Sequence, residues 1–192
     1  RQAMARASLE SHVQDLLSYE AGPGSRPLRQ AGARWLEHVS GTAKDADRLI
    51  LTNGAQHALL CSLLSCCRTG DPVAVERLTH AGFKATAATL GLTLVPIEMD
   101  DFGLCPESLD RACRSNAIKV LVTVPDIHNP TTKIQPASRR QDIAKVAEKH
   151  QLTVIEDAVY AGLAPTIQPA IASFLTDQVI RLVGLSNTLG PG

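Results

Sequence analysis

Asn129, Asp157 and Tyr160 place an amide, a carboxylate and a phenol just beyond two apolar runs, residues 118–124 and 152–155. A buried carboxylate can hold a cationic group, and an amide and a phenol can donate hydrogen bonds, so the chemistry on offer is that of holding a polar ligand. Taken singly, Asp157 is equally a cap after a strand and Tyr160 a core aromatic. A second phrase, Asn53-Gly54-Ala55-Gln56, stands between a short apolar stretch and a helical pattern. A glycine there lets backbone N–H groups approach an anion, to which a helix N-terminus adds about half a positive charge. Alone, such a turn is more often only a turn. It is neither a Walker A loop, since no Gly-Lys-Ser/Thr follows, nor the G-x-G-x-x-G dinucleotide fingerprint.

The elements that must position these residues are legible from periodicity. Residues 118–124 and 152–155 read as strands, and the segment between them as a helix over Ala137–His150, with Ile143, Val146 and Ala147 on one face and Arg139, Arg140, Lys145 and Lys149 largely elsewhere. That is a βαβ unit. Parallel strands joined by a crossover helix end at one edge of the sheet, the edge where open α/β sheets bind ligands, so Asn129, Asp157 and Tyr160 are expected to converge.

The phrases Asn129-Pro130-Thr131-Thr132, the Arg139-Arg140 pair opening a helix, Ile155-Glu156-Asp157 followed by Tyr160, and the closing Leu185-Ser186-Asn187-Thr188-Leu189-Gly190-Pro191-Gly192 resemble fold-type I pyridoxal-phosphate enzymes. The resemblance is to the class I/II aminotransferases and to the aminotransferase-like domain of MocR/GntR-type regulators. Glu76-x-Leu-Thr-x-x-Gly-Phe and His128-Asn129-Pro130-Thr131-Thr132 look nearer to the regulators. It implies a three-layer α/β sandwich around a mostly parallel sheet, the family's large domain, with the small C-terminal domain missing. It also implies pyridoxal 5′-phosphate as cofactor, with Asp157 against the ring nitrogen, Asn129 and Tyr160 donating to the phenolic oxygen, and Gly54, Ala55, Gln56 and Ser186 facing the phosphate. His80 occupies the place where the family carries an aromatic lying on the cofactor ring; the other reading is a loop histidine facing water. At Asn187 the family has its Schiff-base lysine. An amide is neither a nucleophile nor a useful base at neutral pH, so turnover is expected to be lost or impaired while the pocket is kept, with the cofactor held noncovalently.

Residues 1–20 carry Leu9, Val13, Leu16 and Leu17 at helical spacing, and a second helix is predicted over residues 27–39 with Leu28, Trp35, Leu36 and Val39 inward. Tyr19, Gly24, Leu28 and Arg29 match the family's arm, which packs on a partner subunit. The domain reading is therefore an N-terminal arm and helix over residues 1–45, then a cofactor-binding large domain over residues 46–192, incomplete at its C-terminal end. Further strands are predicted at residues 48–52, 71–76, 92–97 and 179–183, with helices to residues 67 and 90 and over Pro106–Ser115. Asp100-Asp101 at a turn reads as solvated rather than as a metal site.

At 192 residues, 44% hydrophobic, 20% charged and with zero formal net charge, the sequence is that of an ordinary globular chain. A pI near 7.2 without a basic run argues against a nucleic-acid surface in this segment. No apolar run reaches the ~18–20 residues of a membrane span, and no signal peptide opens the chain, which fits a cytoplasmic protein. The five cysteines are odd in number and lack metal-ligand spacing, so they read as reduced packing thiols. The chain begins at Arg1 and stops in a phrase that the family continues, which reads as a fragment. Three functional readings stand open: an aminotransferase by ancestry acting on an amino acid and a 2-oxo acid, as a homodimer when intact; the pyridoxal-phosphate-sensing domain of a MocR/GntR-type regulator, whose DNA-binding module lies elsewhere; and a plain nucleotide- or phosphate-binding α/β protein.

Overall fold

A computed structural model describes residues 2–7, 9, 22–40, 45–175 and 177–190. Helix α1 spans Gln2–Ala7 and α2 spans Arg26–Ser40. On α2, Ala33 and Val39 are buried and Trp35 and Leu36 half-buried, but Leu28 is 41% exposed and not inward as predicted. Leu9 is exposed as well, and Val13, Leu16, Leu17 and Tyr19 lie outside the described residues. The predicted strand at residues 48–52 is absent. Ala46–Arg48 forms a 3-10 turn, and the following stretch is held by the Leu51 N–H donating to the Pro23 carbonyl at 2.9 Å rather than by a ladder. Arg29 fixes the same corner, donating to the carbonyls of Gly24 and Ala46 and pairing with Asp47 at 3.1 Å.

Beyond it the order is α3 (Ala55–Cys66), β1 (Pro72–Glu76), α4 (Ala81–Thr89), β2 (Thr93–Ile97), a two-stranded hairpin β3 (Met99–Asp100) and β4 (Gly103–Leu104), then α5 (Pro106–Ser115), β5 (Val120–Thr123), α6 (Ala137–His150), β6 (Thr153–Asp157), β7 (Val179–Leu182) and α7 (Ser186–Leu189). Between β6 and β7 lie two 3-10 turns, Ala161–Leu163 and Ile171–Ser173. The main sheet is β2-β1-β5-β6-β7, with every pairing parallel. Parallel strands covered on both faces are largely apolar, and β5 is buried at all four positions, with the polar residues of β1, β5 and β6 confined to the strand ends.

Alternation along the strands sends side chains to two cores. Val73, Val75, Val120, Val122, Ile155 and Leu182 pack with Leu59 and Leu63 of α3 and Phe83 of α4. Ala74, Leu121 and Val154 pack with Leu109 of α5 and Ile143, Ala144 and Ala147 of α6. The molecule is thus three layers, as expected. On the outside of α5 and α6, Asp110 accepts from Lys149 at 2.7 Å and His150 at 2.6 Å and pairs with Arg114, which holds its carboxyl well below the usual carboxylate range. Asp100 and Asp101 are ion-paired to Arg139 at 2.7 Å and Lys133 at 3.0 Å. No helix among the described residues is long and apolar enough to cross a membrane.

Candidate functional site

All five parallel strands run the same way, so β1, β5 and β6 deliver Glu76, Thr123 and Asp157 to one edge of the sheet, and the connections that follow carry His80, Asn129 and Tyr160. A cleft of about 190 Å³ opens there, lined by Ala55, Gln56, His80, Asn129, Asp157, Tyr160 and Asn187 with the apolar Leu59, Val124 and Val159. Seven of the nine residues singled out from the sequence therefore meet. The other two are their neighbours in the chain: Gly54 caps α3 beside Ala55, and Ser186 opens α7 beside Asn187.

Asp157 is the acidic group among the described residues that line this cleft. Its side chain is 11% exposed, and burial raises its carboxyl above the usual range, an effect opposed by the Val159 N–H at 3.3 Å and by His80. His80 is half-buried rather than facing water. Its Nδ1 accepts the Phe83 N–H at 3.2 Å and so caps α4, which leaves the proton of a neutral ring on Nε2, 3.8 Å from Asp157 Oδ2. One imidazole thus starts a helix and faces the acid.

Gly54 has φ +86, a left-handed conformation that L side chains rarely adopt, and a Cβ there would meet nothing within 4 Å. The N-terminus of α3 carries no side-chain cap, so its first amides keep their donors for another acceptor. Gln56 lies across Gly82, where a Cβ would sit 2.3 Å from its Nε2, so a larger residue there would make the Gln56 side chain shift. The Asn129–Pro130 peptide bond is cis.

Sequence reasoning missed Glu76. It is 1% exposed at the carboxyl end of β1, where Oε1 accepts the Thr123 hydroxyl and, at 3.0 Å, the Val124 N–H. The rule that picked out Asp157, a polar residue closing a buried apolar strand, applies equally to it. Arg140 was expected away from the core face and is fully buried, its Nη2 2.6 Å from Asp126 Oδ1 and its other donors on the carbonyls of Gln135, Pro125 and Pro169. A guanidinium has five donors, and here backbone carbonyls left over at loop ends satisfy them.

The aminotransferase class I and II family matches residues 1–190. The chain belongs to that family. It is 40% identical to the uncharacterized HTH-type transcriptional regulator YdeF of Bacillus subtilis over 95% of its own length and 39% of the relative's. It is also 36% identical to the aminotransferase swnA of Metarhizium robertsii over 74% of the chain and 32% of the relative. An archaeal alanine:glyoxylate aminotransferase superposes with a TM-score of 0.89 at 23% identity, covering 100% of this chain and 49% of that one. The kynurenine aminotransferase of Pyrococcus horikoshii gives a TM-score of 0.88 at 25% identity, with coverage of 100% and 49%. The chain spans about two fifths of the curated relatives it matches and half of these structures. The family depends on pyridoxal phosphate, and this chain supplies an aminotransferase-like domain of that fold.

Proposed function

We propose that this chain is the effector domain of a MocR/GntR-type transcriptional regulator, that it binds pyridoxal 5′-phosphate noncovalently, and that it reports occupancy to a DNA-binding segment of the full-length protein. The observation carrying this reading is Asn187: it lines the cleft with Asp157 and Asn129, and no lysine is among the described residues lining it. The similarity to a helix-turn-helix regulator over 95% of the chain points the same way.

The cleft fits the cofactor in its polar groups and departs from the family pattern at the covalent anchor. Asp157, buried and facing His80, suits a protonated ring nitrogen, and a charge-assisted hydrogen bond of that kind is worth roughly 1.5–3 kcal/mol. Asn129 and Tyr160 would donate to the phenolic oxygen, while Gly54, Ala55, Gln56 and Ser186 would receive the phosphate at the uncapped end of α3. Leu59, Val124 and Val159 give the cleft its apolar lining. When bound, the cofactor supplies an electron sink for the chemistry of amino acids. The Asn187 amide could hydrogen-bond a ligand but can neither anchor the cofactor covalently nor carry a proton at neutral pH.

The test is covalent capture. The protein is mixed with pyridoxal 5′-phosphate, reduced with borohydride and mapped by mass spectrometry beside an Asn187→Lys variant. Saturable binding with no specific adduct in the wild type, and labelling at position 187 in the variant, is the expected result; stoichiometric labelling of a native lysine overturns it. A second reading, an aminotransferase homodimer acting on an amino acid and a 2-oxo acid whose lysine has been lost, is favoured by the 36% identity to a named aminotransferase. Transamination by the full-length protein bearing Asn187→Lys, with no response of DNA binding to the cofactor, would select it.

A further inference from the structure

The backbone between β5 and α6 carries Asn129 to the cleft, and its two ends are tied together. The Gln135 N–H donates to the Pro125 carbonyl at 3.0 Å; inside that tie the His128 N–H donates to the Lys133 carbonyl at 2.8 Å and the Thr132 N–H to the His128 carbonyl at 2.6 Å. His128 Nδ1 lies 2.8 Å from the Thr131 hydroxyl. Asp126, His128 and Gln135 are buried, so the base of the loop is sealed while Asn129 stands exposed at its tip. Where the base sits decides where the tip points.

One side chain grips both ends of this loop. Arg140, fully buried in the first turns of α6, donates from Nε to the Gln135 carbonyl at 2.9 Å and from Nη2 to the Pro125 carbonyl at 3.1 Å and Asp126 Oδ1 at 2.6 Å. Its Nη1 reaches the Pro169 carbonyl at 3.4 Å, on the connection between β6 and β7 that begins beside Tyr160. The charge is balanced within a buried layer on the α6 face of the sheet, where Arg181 lies 3.7 Å from Asp126 and 3.5 Å from Glu156. Two carboxylates thus meet two guanidiniums. A buried ion pair can be exchanged for apolar side chains with little loss of stability, so stability alone does not call for an arginine here. What only the planar, five-donor group does is hold the two loop ends and Asp126 in one fixed arrangement.

We propose that Arg140 is a positioning residue of the candidate cofactor site: by gripping both ends of residues 125–135 it fixes where Asn129 presents its amide, and so sets the strength of the contact between Asn129 and the phenolic oxygen of the ligand. This rests on the reading of the cleft given above. A polar contact is worth its full strength only when the group that makes it is held in place from behind. Lysine at position 140 keeps the charge and can pair with Asp126, but an ammonium on a flexible stem does not span the Pro125 and Gln135 carbonyls in one plane. The loop ends then shift against each other, and Asn129 shifts with them.

The probes are pyridoxamine 5′-phosphate, which has no aldehyde and therefore does not label surface lysines, and its 3-deoxy analogue, which lacks the phenolic oxygen but keeps the ring nitrogen and the phosphate. Both are titrated by calorimetry into the full-length wild type, Arg140→Lys and the Arg140→Met/Asp126→Leu pair. Each ligand's own ionisations are common to all three proteins and cancel in the ratio of variant to wild type. The expected result is that both variants bind pyridoxamine 5′-phosphate about 10-fold more weakly, as loss of one hydrogen bond requires, while their affinity for the deoxy analogue changes by less than about 2-fold. The pair keeps the layer electrically neutral, so the proposal stays testable if Arg140→Lys folds poorly. Equal weakening of both ligands assigns Arg140 a general structural role and overturns the proposal, as does an unchanged affinity for pyridoxamine 5′-phosphate. If the wild type binds the two ligands equally, Asn129 does not meet the phenolic oxygen, and the proposal falls while the cleft stands. Binding of neither ligand to the wild type overturns the reading of the cleft and this proposal with it.

Discussion

The last two residues of β6 are both acidic, and they lead opposite lives. Asp157 points into the open cleft, with one backbone N–H at 3.3 Å and the His80 ring at 3.8 Å. Glu156 points into the sealed layer over α6, 0% exposed, with Arg181 at 3.5 Å. Burial raises both carboxyls; for Glu156, Arg181 and Arg140 oppose the rise, and for Asp157 only a hydrogen bond and a histidine do. The contrast teaches what a ligand site requires: a charge whose compensation is left to come from outside. On the other face, the compensation is built from the chain itself.

The strongest way to break this comparison is to remove the built-in compensation. Arg140→Met leaves Asp126 with only Arg181, 3.7 Å away, and is expected to cost about 3–5 kcal/mol in urea unfolding, much of it recovered in the Arg140→Met/Asp126→Leu pair. If the single variant is as stable as the wild type, the layer is not an ion-pair network. The next effect is a pH dependence. The folded Glu76 carboxyl lies near 7 against 4.5 for the ordinary group, so the native state binds the extra proton and its contribution is lost as pH rises through about 7. Glu76→Gln lacks that loss, and its stability relative to the wild type should improve by on the order of 2–3 kcal/mol from about pH 4.5 to 7.5. Denaturation curves at both ends of that range check it.

On the cleft side, Asp157→Asn is expected to weaken pyridoxamine 5′-phosphate binding by about 10–150-fold, as loss of a charge-assisted hydrogen bond requires, with little loss of stability because a strained buried charge has been removed. An unchanged dissociation constant would place the ring nitrogen elsewhere. The smallest effect belongs to Gly54, where φ +86 makes Gly54→Ala cost about 1–2 kcal/mol although the added methyl meets no atom. A melting temperature unmoved by that change would mean that the turn relaxes.

The helices Pro106–Ser115 and Ala137–His150 stand where periodicity put them, and the five parallel strands fall within a residue or two of the apolar runs. Strands buried on both faces and helices with one apolar face carry their own signal, which is why this part was legible. The failures have a common cause. Residues 48–52 are apolar enough for a strand but find no ladder to join, so Ile50 is 73% exposed, and a strand exists only by its neighbours. Leu28 sits at a core position of the helical pattern and faces out, because nothing in a helix states which partner will cover it. Arg140 looked like a surface cation. Its burial depends on Asp126 and on the carbonyls of Gln135, Pro125 and Pro169, which approach only once the sheet has formed.

By itself, the sequence determined the parallel α/β architecture, the edge at which Asp157, Asn129 and Tyr160 meet, and the presence of an amide at position 187. These follow from local periods and from the direction in which strands end. The tertiary structure alone decided that His80 both caps α4 and faces Asp157, and that Arg140 is a core residue. It also decided that Glu76 is a buried acid that accepts from Thr123 and Val124 across the sheet. Electrostatic partnership depends on distances across the sheet, and a linear pattern of residue types does not contain those distances.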